Sequence, residues 1–554
     1  MQKPLIYQVL PRLFGKKAVN NLPHGSIEQN GCGKFNDFDD QVLQRIHDMG
    51  FSHVWFTGVI RHATQTDYSS YGIPSQHPDV VKGRAGSPYA IVDYYDVDPD
   101  LAKDIDHRME EWMALIERSH RAGLKVIMDF VPNHVARQYL SIAKPEGVRD
   151  LGQDDNTDYH FSTANNFYYC WGQPLDLSLI PTDPAINRYV EQPAKATGND
   201  HFDNRPSRND WYETVKLNYG IDYCDAGGRS EHFSPIPDTW SKMTDILLFW
   251  AQKGVDAFRC DMAEMVPTAF WHWAIDKVKF IHPDIQFIGE VYDPAQYRAY
   301  LAAGFDLLYD KVGMYDCLRG VVCGYLPAAD ITKAWQATDD IRSHMLYFLE
   351  NHDEQRIASD FFAADARKGL PALVVAALLN NCPFMLYAGQ EVGEKGMETE
   401  GFSGHDGRTT IFDYWTVESI RRAFFDRRRL RKEERQLEKA YLQVLKVAAH
   451  ENAVREGLSF DLMYVNPQLS QHQYAFLRKA GTDVLLVVAN FADEEVALNV
   501  NIPSHAFEFL AIPERLFKGS DLLSDDVING HLKADGAVAM TVPAHGARVW
   551  KLSL

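Results

Sequence analysis

Eight short apolar runs, with helix-period stretches between them, constrain this chain more than any other feature. They fall at residues 5–10, 53–56, 125–130, 255–258, 286–289, 306–309, 345–349 and 384–387. Each is nearly continuous in apolar side chains, as a strand buried on both faces requires. Amphipathic segments such as 107–122 and 240–252 separate them. Strands that alternate with helices build parallel βα units. Eight such units predict an α/β fold, a (β/α)8 TIM barrel.

A barrel alone takes roughly 250 residues, and this chain has 554. The stretch 135–235 is far too long for one connecting helix and is rich in Asp, Asn, Gly, Tyr and Trp. Its aromatics can build a small core, so it reads as a domain inserted after strand three. Beyond about residue 445 helical periodicity fades. Tyr474-Ala475-Phe476-Leu477 and Val484-Leu485-Leu486-Val487-Val488 read as strands of a C-terminal all-β sandwich. The expected division is a barrel over 1–134 and 236–445, an inserted domain over 135–235, and a sandwich over 446–554.

Several partner classes are disfavoured. A net charge of −20 repels phosphate backbones, so nucleic acid is not expected. A neutral polymer is indifferent to that charge. The longest apolar run, residues 370–379, is too short to span a membrane. Met1-Gln2-Lys3-Pro4-Leu5-Ile6-Tyr7 lacks the apolar region of a signal peptide and reads as the approach to a first strand. The 7 Cys are scattered singly, without zinc spacing, and suggest buried thiols in a reducing compartment. The expectation is a cytoplasmic protein. The mixed charges from Asp426 to Lys439 read as a solvated helix face laced by i,i+4 pairs.

Active sites of such barrels sit at the C-terminal ends of the strands. Strand three ends Asp129-Phe130-Val131-Pro132-Asn133-His134, and strand four ends Phe258-Arg259-Cys260-Asp261. Strand five ends Ile288-Gly289-Glu290, and strand seven ends Glu350-Asn351-His352-Asp353. Capping or salt bridging explains any one of these well. A barrel brings all four to one face, which capping does not explain.

Two carboxylates flanking a glycosidic bond can cleave it. One protonates the leaving oxygen while the other attacks or activates water. Asp261 and Glu290 lie on neighbouring strands and fit a close pair, with a separation of ~5 Å in a retaining enzyme. Arg259, two residues before Asp261, shares its side of the strand and should keep Asp261 ionised. Glu290 must instead start protonated, which burial and neighbouring anions favour. Asp353 adds a third carboxylate. His134 and His352 can donate to hydroxyls of the same sugar.

Together these segments resemble glycoside hydrolase family thirteen, the α-amylase family. The matching motifs are Asp129 to His134, Gly254-Val255-Asp256-Ala257-Phe258-Arg259-Cys260-Asp261, Phe287-Ile288-Gly289-Glu290, and Phe348-Leu349-Glu350-Asn351-His352-Asp353. Ile6-Tyr7-Gln8-Val9-Leu10-Pro11, Pro88-Tyr89-Ala90-Ile91-Val92-Asp93-Tyr94-Tyr95 and Val542-Pro543-Ala544-His545-Gly546 also resemble family segments. The resemblance implies Asp261 as nucleophile, Glu290 as acid/base and Asp353 as transition-state stabiliser. It implies that Arg259, His134 and His352 support the substrate and that Tyr89 is an aromatic platform. Arg356 falls where sister enzymes place a substrate-side arginine.

The implied activity is retaining cleavage of α-1,4-glucosidic bonds in starch-derived oligosaccharides. An α-glucanotransferase or a trehalose-synthase-like isomerase would use the same carboxylates. The family's non-catalytic, transporter-associated members typically lose those carboxylates, and this chain keeps all three. No cofactor is implied for the chemistry. Asn133 matches a family calcium ligand at the barrel–insert junction, and an ordinary hydrogen-bonded asparagine is an equal alternative. One departure is clear. Typical α-amylases follow the nucleophile with a Lys-His pair for the aglycone sugars, whereas Asp261 is followed by Met262-Ala263-Glu264-Met265. Glu264 and Met265 should therefore weaken the aglycone side and favour short maltooligosaccharides.

Overall fold

The computed structural model describes residues 3–553. Met1 and Gln2, which head the N-terminal reading, and Leu554, which ends the sandwich reading, lie outside the described residues. Eight parallel strands close into a barrel: β1 (Leu5–Val9), β2 (His53–Phe56), β3 (Lys125–Phe130), β4 (Ala257–Cys260), β5 (Gln286–Gly289), β6 (Leu307–Tyr309), β7 (Met345–Phe348) and β8 (Phe384–Tyr387). Each pairs with its sequence neighbour, and β8 returns to β1 with Met385 opposite Ile6.

Side chains alternate between two cores, as the two-residue strand period requires. Ile6, Trp55, Ile127, Ala257, Ile288, Leu346 and Met385 fill the lumen. Tyr7, Val54, Val126, Phe258, Phe287 and Tyr347 face the surrounding helices. Each fully buried large apolar side chain contributes about 1.5–3 kcal/mol. This alternation also points Arg259 and Asp261 inward. The fourth strand starts two residues later than the apolar run suggested. Gly254 turns the chain with φ +91°, and Asp256 is occupied outside the strand. Its Oδ2 accepts from Val126 N at 2.7 Å and lies 2.8 Å from His120 Nε2.

The segment between β3 and β4 carries short strand pairs. The best formed sets His134–Ala136 antiparallel to Thr214–Lys216, with His134 opposite Lys216. This pair fastens the insert to the mouth of the barrel.

The expected boundary at 445/446 falls inside the helix Lys432–His450. Its buried stripe of Leu437, Tyr441, Val444, Leu445 and Ala448 belongs to the main core, so the helix cannot be divided there. The first strand beyond it is Leu458–Asp461. From there a six-stranded antiparallel sheet and a two-stranded sheet, Val496–Ile502 with Gly536–Val542, form the C-terminal domain. The charge run pairs both locally, as Arg429 does with Asp426 at 3.3 Å, and between helices. Arg422 meets Glu434 at 2.6 Å and Arg427 meets Glu438 at 2.7 Å. Among the described residues, no helix is long and apolar enough to cross a membrane.

Candidate active site

Arg259 is wholly buried in the mouth of the lumen. Its guanidinium lies over the rings of Trp55, Tyr89 and Tyr309, 5.2 to 5.6 Å from their centroids. One terminal nitrogen is 2.8 Å from Asp261 Oδ1, and the other is 2.8 Å from Glu290 Oε2. The planar fork thus holds both carboxyls, so these two oxygens are within about 8 Å of each other. Backbone bonds fix the same pair. Asp261 N donates to Phe130 O at 2.9 Å, and Glu290 N to Cys260 O at 3.2 Å.

Glu290 is held at both oxygens. Met262 N donates to Oε2 at 2.8 Å, and the Tyr292 hydroxyl donates to Oε1 at 2.5 Å. Met262 reaches this position in the left-handed region, φ +44°. Side chains seldom adopt that conformation, and its strain is concentrated where the site needs it.

Asp353 enters from the loop after β7. Its Oδ2 is 3.1 Å from His352 Nε2, and its side chain is 39% exposed, open to the cavity. Gln8 Nε2 lies 2.7 Å from the other ring nitrogen of His352, and the Tyr89 hydroxyl also meets the ring. With Gln8 donating to Nδ1, Nε2 carries the ring hydrogen and faces both the Tyr89 hydroxyl, at 2.5 Å, and Asp353.

Asp261, Glu290, Asp353, Tyr89 and His134 line one cavity of about 260 Å³. Trp211, the ion pair Lys82–Glu213 (3.0 Å), Tyr292, Ile411 and Phe412 also line it. Ligand pockets typically span about 300–1,000 Å³, so this one is small. A larger groove of about 590 Å³ runs between the helices Asp238–Gln252 and Thr268–Ile281. It lacks convergent catalytic groups.

The charges differ from the sequence expectation at Asp261. Burial pushes its carboxyl well above the usual range, Arg259 pulls it down, and the charges of Glu290 and Asp353 push it up again. One guanidinium does not hold the acids around it ionised together, since Asp129 stands 3.6 Å away as well. Asp353 goes the other way. Burial would raise it, but His352, Arg259 and Arg408 outweigh burial and hold it at about 2. Burial, with Lys216 and Lys82 adding to it, lowers His134 to about 3, so its ring is neutral.

A family model described as the catalytic domain of α-amylase matches residues 8–461, most of the chain. The chain belongs to the α-amylase family. Alpha-amylase 3 of Dictyoglomus thermophilum is 24% identical over 348 residues, 59% of this chain and 59% of that protein. Neopullulanase 2 of Thermoactinomyces vulgaris is 20% identical over 409 residues, 71% of this chain and 57% of that protein. The chain thus spans under two thirds of the length of these two relatives. The solved α-amylase of Geobacillus thermoleovorans, complexed with acarbose, superposes with a TM-score of 0.65 at 18% identity, covering 100% of this chain and 99% of that one. That likeness shows the fold.

Two residues placed by the α-amylase pattern stand elsewhere. Arg356 does not line the cavity. It is buried, pairs with Glu350 at 2.9 Å, and lies 4.0 Å over the Tyr387 ring. The expectation of a substrate-side arginine is corrected, because this guanidinium is committed to a buried partner. Arg408 is the arginine beside Asp353, donating to its carbonyl oxygen at 2.6 Å. Glu264 also turns from the cavity. Its Oε2 accepts from Tyr292 N at 2.8 Å and Asp293 N at 3.0 Å, fixing the loop after β5.

Tyr292, Trp211, Lys82 and Glu213 went unread in the sequence. Tyr292 carried a signal, since a residue two beyond Glu290 tends to share its side of an extended chain. The other three are brought to the site by folding of distant loops, which no local pattern announces.

Proposed function

We propose that this protein is a retaining α-glucan-active enzyme cleaving α-1,4-glucosidic bonds of starch-derived oligosaccharides. One observation carries the reading. A single buried guanidinium clamps Asp261 and Glu290 on adjacent strands while Asp353 opens into the same cavity. Asp261 is the nucleophile, Glu290 the general acid and then base, and Asp353 the carboxylate that grips the distorting sugar. Retaining pairs stand about 5–5.5 Å apart, and a shared fork suits that spacing.

Before substrate binds, burial favours a proton on Asp261. As binding brings the glycosidic oxygen to Glu290, that one proton passes from Asp261 to Glu290, leaving Asp261 ionised. Arg259 then stabilises the Asp261 anion that attacks the anomeric carbon. The leaving oxygen takes the proton from Glu290, and Glu290 next deprotonates the incoming water. A second sugar in place of water gives glucanotransfer or isomerisation through the same intermediate.

The small cavity favours short maltooligosaccharides. Trp211, the Lys82–Glu213 pair and Phe412 line the sugar site beside the carboxylates. Glu264, expected together with Met265 to set this preference, acts through the loop it holds. Comparing kcat/KM for maltotriose and amylose, with products resolved by size, tests this. Maltotriose should be preferred, and strong preference for amylose with random mid-chain cutting would refute it.

A further inference from the structure

Lys216 ends the insert strand Thr214–Lys216 and is 2% exposed. Its ammonium lies 2.6 Å from Asn133 Oδ1, 2.6 Å from Asp200 Oδ1 and 3.4 Å from the Met265 carbonyl oxygen. A lysine has three donors and no acceptor. Here three oxygens surround it, from the loop after β3, from the insert, and from the turn four residues past Asp261.

Asn133 is where the family resemblance places a calcium ligand. The surrounding oxygens are chemically suitable, being an amide, a carboxylate and a carbonyl. The site as built does not suit calcium. Calcium takes 6–8 oxygens at about 2.3–2.6 Å, and Lys216 Nζ already stands at that distance from Asn133 and Asp200. Asn133 Nδ2 is committed too, donating to Gly198 O at 2.7 Å. An ammonium and a divalent ion at one point would collide and repel.

We infer that Lys216 is a resident cation that takes the place of calcium at the barrel–insert junction. It ties Asn133, Asp200 and the Met265 turn together. In doing so it holds two parts of the active site, His134 opposite it in the strand pair and Asp261 at the head of the Met265 turn.

The test measures melting temperature and kcat on maltotriose, in excess EDTA and in excess calcium chloride. Wild-type protein should show the same values in both. Lys216→Met keeps the apolar stem but removes the charge. It should melt lower by roughly 2 °C, since buried Asn133 and the partly exposed Asp200 lose a charge-assisted partner. Lys216→Ala leaves room among the oxygens, so calcium chloride should raise its melting temperature. The same addition should do nothing for Lys216→Ala combined with Asn133→Ala. The inference is overturned if EDTA lowers the wild-type melting temperature and Asn133→Ala abolishes that loss. It is also overturned if Lys216→Met melts with the wild type. If both Lys216 variants fail to fold, the wild-type arm still decides.

Discussion

Replacing Tyr292 by Phe removes one atom from the site, the hydroxyl that donates to Glu290 Oε1 at 2.5 Å. Burial and the charge of Glu290 push this hydroxyl's titration up, so it keeps its proton and acts as a donor. A hydrogen bond to a charged group is worth about 1.5–3 kcal/mol. Tyr292 is only part-buried at the cavity wall, so the lower half of that range applies. At 1.36 kcal/mol per tenfold, kcat/KM on maltotriose should fall ~13–45-fold. Arg259 and Met262 N still hold Oε2, so the carboxyl stays in place and the fold should be unaffected. The pH–rate profile separates this role from mere packing. A carboxylate that loses a donor is a poorer anion, so the alkaline limb should move to higher pH. An α-glucosyl fluoride needs no proton for its leaving group and should lose much less than maltotriose. Equal losses on both substrates with an unmoved profile would refute the reasoning.

Three further outcomes follow from the same geometry. Glu290→Gln should retain far more activity on the fluoride than on maltotriose, whereas Asp261→Asn should lose nearly all turnover on both, measured by steady-state kinetics. Arg356→Ala should leave Glu350 buried without its partner, costing about 3–5 kcal/mol in denaturant unfolding, with little change in KM for the folded fraction. Glu391 is raised from 4.5 to about 7, chiefly by burial. A raised carboxyl contributes stability that is present below its unfolded value and is lost as pH rises through about 7. Glu391→Gln should flatten that decline, worth up to about 3 kcal/mol, in melting curves between pH 5 and 8. An unchanged slope would show that Glu391 does not titrate there.

Much of the fold was legible because a barrel strand is buried on both faces and shows as a short apolar run. Seven runs began within a residue of their strands. The fourth was displaced because Val255 is apolar yet precedes the strand, while Asp256 spends its carboxylate on Val126 N and His120. The strand-end residues Asp261, Glu290, Asp353 and His134 were legible because barrel geometry sends such positions to one rim. Arg356 was misplaced for the opposite reason. Its partner Glu350 lies only six residues away, but Tyr387 and Thr409 arrive from separate segments, and no periodic pattern shows that the side chain is taken. Lys216 escaped notice because a lysine in a polar, aromatic insert looks like a surface residue until folding carries it to Asn133.

The central claim is that Asp261 attacks the sugar and Glu290 assists from the other side of the bond. The anomeric form of the first product tests it most directly. Maltotriose hydrolysis should be followed by proton NMR in the first minutes, before mutarotation mixes the forms. Double displacement through Asp261 gives net retention, so the α-anomer should appear first and the β-anomer should grow only at the mutarotation rate. An initial burst of β-anomer would mean a single displacement by water and would contradict the nucleophile assigned here.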